Sequence, residues 1–165
     1  DLEVSVLGLS RLEQSLTQFL SPELLTGGER WHCEACGTRR DAEKGVTLTT
    51  LPPVLMIHLK RYIYDINRRA YVKHHAPFHF PDTLHLEPEK GVVEGAGSDE
   101  EGSSSPSSPS SPSSPSSPPY TLQAILIHHG TTGGGHYFAY VRRGKEEFVE
   151  FNDAIVRPLS GAALE

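Results

Sequence analysis

The period of the hydrophobic positions changes several times along the chain, and each change marks an element. In RLEQSLTQFL (11–20), Leu12, Leu16, Phe19 and Leu20 recur at helical spacing. That predicts a short amphipathic helix ending before Ser21-Pro22. After Gly27-Gly28, RWHCEACGTRRDAEKGVTLTTLPP reads as a strand, a tight knuckle between Cys33 and Cys36, and a second strand that stops at Pro52-Pro53. The run VLMIHLKRYIY (54–64) is mostly apolar and rich in β-formers, which predicts a buried strand. Further strands are expected over 73–80 and 84–86.

Beyond residue 119 the pattern resumes. YTLQAILIHH (120–129) is a strongly apolar strand, and 136–143, 148–151 and 155–157 follow as strands with short turns between them. The composition is α+β and mainly antiparallel at this end. Between the two blocks, 87–119 offers almost nothing to bury, and its tail SSSPSSPSSPSSPSSPP is low-complexity. It is expected to be an acidic, Ser/Pro-rich disordered insertion. Blocks 1–86 and 120–165 each have too few elements to close a core. They are expected to be two pieces of one domain, because loop-closure entropy rises only slowly with insertion length.

Charge follows the same division. The insertion carries six acids against one lysine, a net of −5, while the whole chain is −6. The folded part is therefore close to neutral, which argues against a nucleic-acid surface. Two cysteines, Cys33 and Cys36, fit a reducing compartment, so a cytoplasmic or nuclear location is expected. No apolar run approaches the roughly 20 residues of a membrane span, so no membrane partner is expected. A start at Asp1 without Met suggests a piece of a longer protein.

Candidate chemistry concentrates in GGGHYFAYVRRGKEEFVEFND (133–153). HYFAYV alternates, with His136, Phe138 and Tyr140 on one face and Tyr137, Ala139 and Val141 on the other. If the hairpin folds about Gly144, His136 lies opposite Asn152 or Asp153, for a loop of three residues or two. A histidine acts as a base when a neighbour holds one ring nitrogen and leaves the other to take a proton. The same pattern also fits a strand-starting histidine beside an ordinary turn pair, and His128 and His129 read equally well as sheet residues.

The whole set of motifs separates these readings. YTLQAILIHHGTTGGGHYFAYV followed by FVEFNDAIV resembles the histidine box of the ubiquitin-specific proteases, which cut the isopeptide bond after ubiquitin's C-terminal glycine. LPPVLMIHLKRYIY and the segment before it, CxxC included, resemble the same family in the same order. The resemblance implies a papain-like α+β catalytic domain with a mainly antiparallel sheet. It implies His136 as general base and Asn152 as its orienter, with Asp153 the other polar candidate. It places His128, Gly134, Gly135 and Tyr137 along a channel for ubiquitin's diglycine tail. Phe148 departs from the tryptophan often found there.

A cysteine protease needs a thiolate nucleophile. Cys33 and Cys36 sit in a metal-type knuckle with no helix start or oxyanion-hole motif around them. The resemblance makes this CxxC half of a four-cysteine zinc site and places the nucleophile upstream. The chain is then expected to be part of the fingers and most of the palm, without the thumb, and inactive alone. Its expected partners are ubiquitin, ubiquitinated proteins and the N-terminal half of the same domain. Two other readings remain at this point: a ubiquitin-specific-protease-like scaffold that has lost its nucleophile, and a small zinc ribbon, which would leave the histidine box unexplained.

Overall fold

A computed structural model describes residues 1–88, 117–145 and 147–159, together with the backbone of Gly91 and Val92. Strand β1 (Leu2–Ser5) leads into helix α1 (Leu12–Leu20), the helix expected from the leucine spacing. Gln14 Oε1 accepts the Ser10 and Arg11 N–H groups at 3.2 Å each, satisfying donors that a helix start leaves open. At the other end Ser21 turns extended (φ −68°, ψ 129°), as the residue before a proline prefers. Leu12 and Leu16 face inward, and the buried Ser15 hydroxyl donates to Ser5 O at 2.6 Å, tying helix to strand.

Four small strands make the next region. β2 (Glu23–Leu25), β3 (Trp31–Cys33), β4 (Thr38–Arg40) and β5 (Ala42–Lys44) form two antiparallel pairs, β2 with β5 and β3 with β4. Gly37, at φ +63°, closes the knuckle between β3 and β4 in a backbone region that glycine enters readily. The expected second strand up to Pro52 is shorter than its apolar content suggested, ending at Lys44.

The apolar run 54–64 is two strands, β6 (Ile57–Lys60) and β7 (Tyr62–Asp65), separated at Arg61. It is not buried throughout. Leu55, Ile57 and Leu59 pack against the core, while Val54 and Met56 are exposed. One face of β6 is covered, so period-two alternation governs burial even where both faces carry apolar residues. β6 pairs in parallel with β1, Leu2 opposite Ile57; the other named strand pairs among the described residues are antiparallel. β8 (Ala70–Lys73) pairs with β7. The strand expected over 73–80 is instead extended chain that touches Arg11 through a single bridge at His79.

β9 (Thr83–Leu84) and β10 (Leu86–Glu87) precede β11 (Gly91–Val92), and β12 (Tyr120–Thr121) pairs back onto β9. The expected disorder of 87–119 falls largely outside the described residues. Val4, Leu12, Leu16, Leu84 and Leu86 form the buried core, with Tyr120 packed against it. β13 (Ala124–Thr131), β14 (Gly134–Arg143), β15 (Glu147–Asn152) and β16 (Ile155–Pro158) complete the chain as one antiparallel sheet in sequence order.

Arg142 fastens this sheet to the rest. Its side chain is 9% exposed and pairs with Asp82. Its Nε donates to Leu122 O at 2.6 Å, and its guanidinium lies 4.7 Å from the Phe148 ring centroid. Leu16 is fully buried at the centre of the core. Leu16→Ala is expected to lower unfolding free energy by about 2–5 kcal/mol in urea titrations, and a loss below about 1 kcal/mol would show that α1 does not anchor the core.

Candidate active site

His136 lies near the start of β14, on a strand whose register is set by the turns on either side. Arg143 pairs with Glu147 and Ala139 with Phe151. The connection thus lies between Arg143 and Glu147, its centre one position further along than a turn centred on Gly144. In this register Phe138, not His136, stands opposite Asn152. His136 lies two residues further, on the same face, and reaches Asn152 diagonally, as neighbours on a pleated face do. Its Nε2 is 2.6 Å from Asn152 Oδ1 and 3.9 Å from Asp153 Oδ2.

The second turn explains why these two neighbours differ. Asn152 pairs with Ile155, so Asp153 and Ala154 form a two-residue connection. Asp153 has φ +53°, a left-handed conformation that aspartate tolerates better than most residues. Its carboxylate is 81% exposed. Asn152, still in the strand, is held by the sheet and directed at the histidine. Of the two polar candidates, the hydrogen bond is made by Asn152.

Behind Asn152 stands a pair that the sequence reading did not single out. Asn152 Nδ2 donates to Glu150 Oε1 at 3.1 Å. Glu150, 4% exposed, receives two bonds from Arg157, at 3.0 Å from Nε to Oε2 and 3.0 Å from Nη2 to Oε1. Arg157, first of all, and Asn152 hold the Glu150 carboxyl below the usual range against the opposing effect of burial. The two-residue turn at Asp153-Ala154 puts Glu150 opposite Arg157, so the turn chemistry was the signal that could have found the pair.

The remaining candidates form a second cluster. His128 pairs with Tyr137 across β13 and β14, with ring centroids 4.6 Å apart. Strand alternation puts Tyr137 on the face opposite His136. His128 Nδ1 lies 2.8 Å from the Tyr62 hydroxyl and 2.9 Å from Lys73 Nζ, which also donates to His128 O at 2.6 Å. Burial first, and then the charge of Lys73, lowers the His128 pKa. Burial, then Tyr137, raises that of Tyr62. Tyr62 and Lys73 were also missed in the sequence, because β7 and β8 meet β13 only in three dimensions.

Two of the glycines differ sharply in surroundings. A Cβ on Gly135 would lie 2.2 Å from His128 Nε2 and 2.5 Å from His129 O, whereas one on Gly134 would meet nothing within 4 Å. Gly135 is therefore required by close packing, and Gly134 borders open space.

Cys33 and Cys36, the chain's two cysteines, stand on the separate β3–β4 hairpin. Cys36 Sγ lies 3.2 Å from Thr38 Oγ1. Hydrogen bonds, chiefly from Thr38, lower its pKa to about 6. Tetrahedral zinc takes four ligands, and among the described residues no group of three His, Cys, Asp or Glu side chains is placed to hold a metal. These two thiols by themselves do not complete a zinc site.

An antiparallel sheet carrying a hydrogen-bonded His–Asn pair beside a glycine-rich turn is the pattern of a papain-like hydrolase. The chain belongs to the ubiquitin carboxyl-terminal hydrolase family, whose profile matches residues 23–164. The probable ubiquitin carboxyl-terminal hydrolase FAF of Drosophila melanogaster is 34% identical over 93% of this chain and 6% of its own length. Ubiquitin carboxyl-terminal hydrolase 9X of Mus musculus is 34% identical over 94% of this chain and 6% of its length. For ubiquitin carboxyl-terminal hydrolase 15 of Saccharomyces cerevisiae the values are 30%, 93% and 12%. The chain thus spans a small part of these relatives. The solved SAGA Ubp8/Sgf11/Sus1/Sgf73 DUB module bound to ubiquitin aldehyde matches with a TM-score of 0.71 and 26% identity, over 98% of this chain and 32% of that one.

The contrast between the glycines is directly measurable. Gly135→Ala is expected to lower stability by about 1–3 kcal/mol, as overpacking does, while Gly134→Ala leaves the melting temperature close to wild type. Equal effects of the two substitutions would contradict the packing described.

Proposed function

We propose that this chain supplies the base and its orienter for a cysteine-type deubiquitinase acting on isopeptide bonds at ubiquitin's C-terminal glycine. The observation that carries the reading is the 2.6 Å contact between His136 Nε2 and Asn152 Oδ1. With an oxygen at that position, Nε2 keeps its proton and Nδ1 is left to take one from a thiol. His136 would then return that proton to the lysine amine as it departs. Asn152 cannot offset the imidazolium charge as a carboxylate would, but Asp153 at 3.9 Å adds a negative charge nearby.

The attacking thiolate would come from a segment outside this chain. Exposed apolar residues such as Val54, Met56 and Leu126 are suited to cover by the remainder of a catalytic domain. Gly134, with no atom near its missing Cβ, fits the wall of a channel that admits a diglycine tail, with Gly135, His128 and Tyr137 beside it. Cys33 and Cys36 would supply two of the four ligands of a structural zinc, the other two lying elsewhere in the protein. The ubiquitin-bound state of the Ubp8 module supports ubiquitin as the partner.

The test is hydrolysis of a fluorogenic C-terminal amide of ubiquitin by the intact protein. His136→Ala is expected to reduce kcat by about 10²–10⁴-fold while ubiquitin binding is retained. Near-wild-type turnover by that variant would refute the assignment. A wild-type protein that binds ubiquitin without hydrolysing it would favour a scaffold instead. Zinc measured in the intact protein is expected to fall in a Cys33→Ser/Cys36→Ser variant, and unchanged metal content would remove these residues from the site.

A further inference from the structure

An asparagine in the place of a triad carboxylate creates a problem that an aspartate does not have. Both oxygens of a carboxylate accept hydrogen bonds, so either can face the histidine. A carboxamide has one acceptor and one donor end, nearly identical in shape. Turned by 180°, Asn152 would present its NH₂ to His136 Nε2. That nitrogen would then have to accept, the ring proton would move to Nδ1, and the base nitrogen would be lost.

We propose that Glu150, clamped by Arg157, is a positioning residue that selects the productive orientation of the Asn152 amide and thereby the tautomer of His136. An ionised carboxylate has no proton to donate. At 3.1 Å from Glu150 Oε1, only the nitrogen end of the amide makes a favourable contact, since the oxygen end would set two acceptors against each other. The Asn152 oxygen is therefore directed to His136, where the 2.6 Å bond is found.

The burial of Glu150 is the second observation. Its side chain is 5% exposed while that of Arg157 is 64% exposed. A carboxylate removed from water is costly unless it is paired. Arg157 provides that pairing with two parallel N–H···O bonds, the geometry in which a guanidinium best holds an anion. The clamp keeps Glu150 ionised, and only an ionised Glu150 is acceptor-only. Charge therefore passes information along one edge of the sheet, from Arg157 through Glu150 to Asn152.

This rests on the His136–Asn152 reading above, so the experiment separates the two. The intact protein is prepared as Glu150→Gln, Asn152→Asp and the double variant, and assayed on the fluorogenic ubiquitin amide. Glu150→Gln lets either end of the asparagine face position 150, and kcat is expected to fall about tenfold or more with KM unchanged, as for other residues that support a catalytic group. Asn152→Asp alone sets two carboxylates against each other and is also expected to lose activity. In the double variant the glutamine can donate to the new carboxylate, so kcat is expected to recover most of the combined loss. A merely structural pair would give no such recovery. Wild-type kcat in Glu150→Gln, or additive losses in the double variant, would overturn the proposal.

A second measurement does not depend on turnover. In intact protein labelled with ¹⁵N-histidine, the His136 resonances are expected to report a proton on Nε2 in the wild type and a mixture of tautomers in Glu150→Gln. Identical spectra would also overturn the proposal. A wild type that shows the Nε2 proton and its loss in the variant, yet hydrolyses no ubiquitin conjugate, would sink the functional reading and leave the positioning role standing.

Discussion

The sheet that carries His136 is tied to the rest of the fold by a nearly buried guanidinium and, at the end of β13, by the Lys73 ammonium. Arg142 pairs with Asp82, donates to Leu122 O at 2.6 Å and lies over Phe148. The hydrophobic core cluster is drawn from β1, α1, β6, β9, β10 and their neighbours, with Tyr120 at its edge. β13 to β16 are joined to that core by this multiply bonded cation, by the β9–β12 pair and by the bonds from Tyr62 and Lys73 to β13. Arginine suits such a post because its planar donors reach several acceptors at once and its faces pack on aromatic rings. A lysine would carry the same charge without that geometry.

From this fixed sheet the site follows by register. β14 contributes the histidine, β15 the asparagine and the buried glutamate, and β16 the arginine that neutralises it. Each member is one strand, or two residues, from the next. The neighbouring cluster of His128, Tyr137, Tyr62 and Lys73 uses the other face of β14, together with β13, β7 and β8. There the ammonium of Lys73 gathers two backbone carbonyls and an imidazole nitrogen at the end of β13. That network braces the strand end from which the glycine-rich turn departs.

Much of this was legible in the chain. The spacing of Leu12, Leu16, Phe19 and Leu20 located α1, and the alternation of HYFAYV put His136, Phe138 and Tyr140 on one face, while the turn about Gly144 left Asn152 and Asp153 both open as the partner of His136. What local pattern could not supply was non-local. β1 was missed because its partner β6 lies more than fifty residues away in a parallel pairing, which leaves no hairpin signal. The run 54–64 looked buried because its outward positions are apolar as well, and only the placement of α1 decides which face is covered. Arg157 and Glu150 carry no local signal of their partnership, which the turn between them fixes. The tie from Lys73 to His128 had no signature in either segment alone.

The turn between β14 and β15 gives the most demanding constraint of all. Arg143 and Glu147 close a surface loop that itself contributes nothing to the chemistry. Because side chains alternate along a strand, deleting or inserting one residue there would invert β15 relative to β14. Asn152 would then face away from His136, and the carboxylate of Glu150 would be carried to the opposite side of the sheet. A loop that takes no part in the chemistry thus tolerates no odd change of length, and the constraint on its length is set by residues several positions away on the strands it joins.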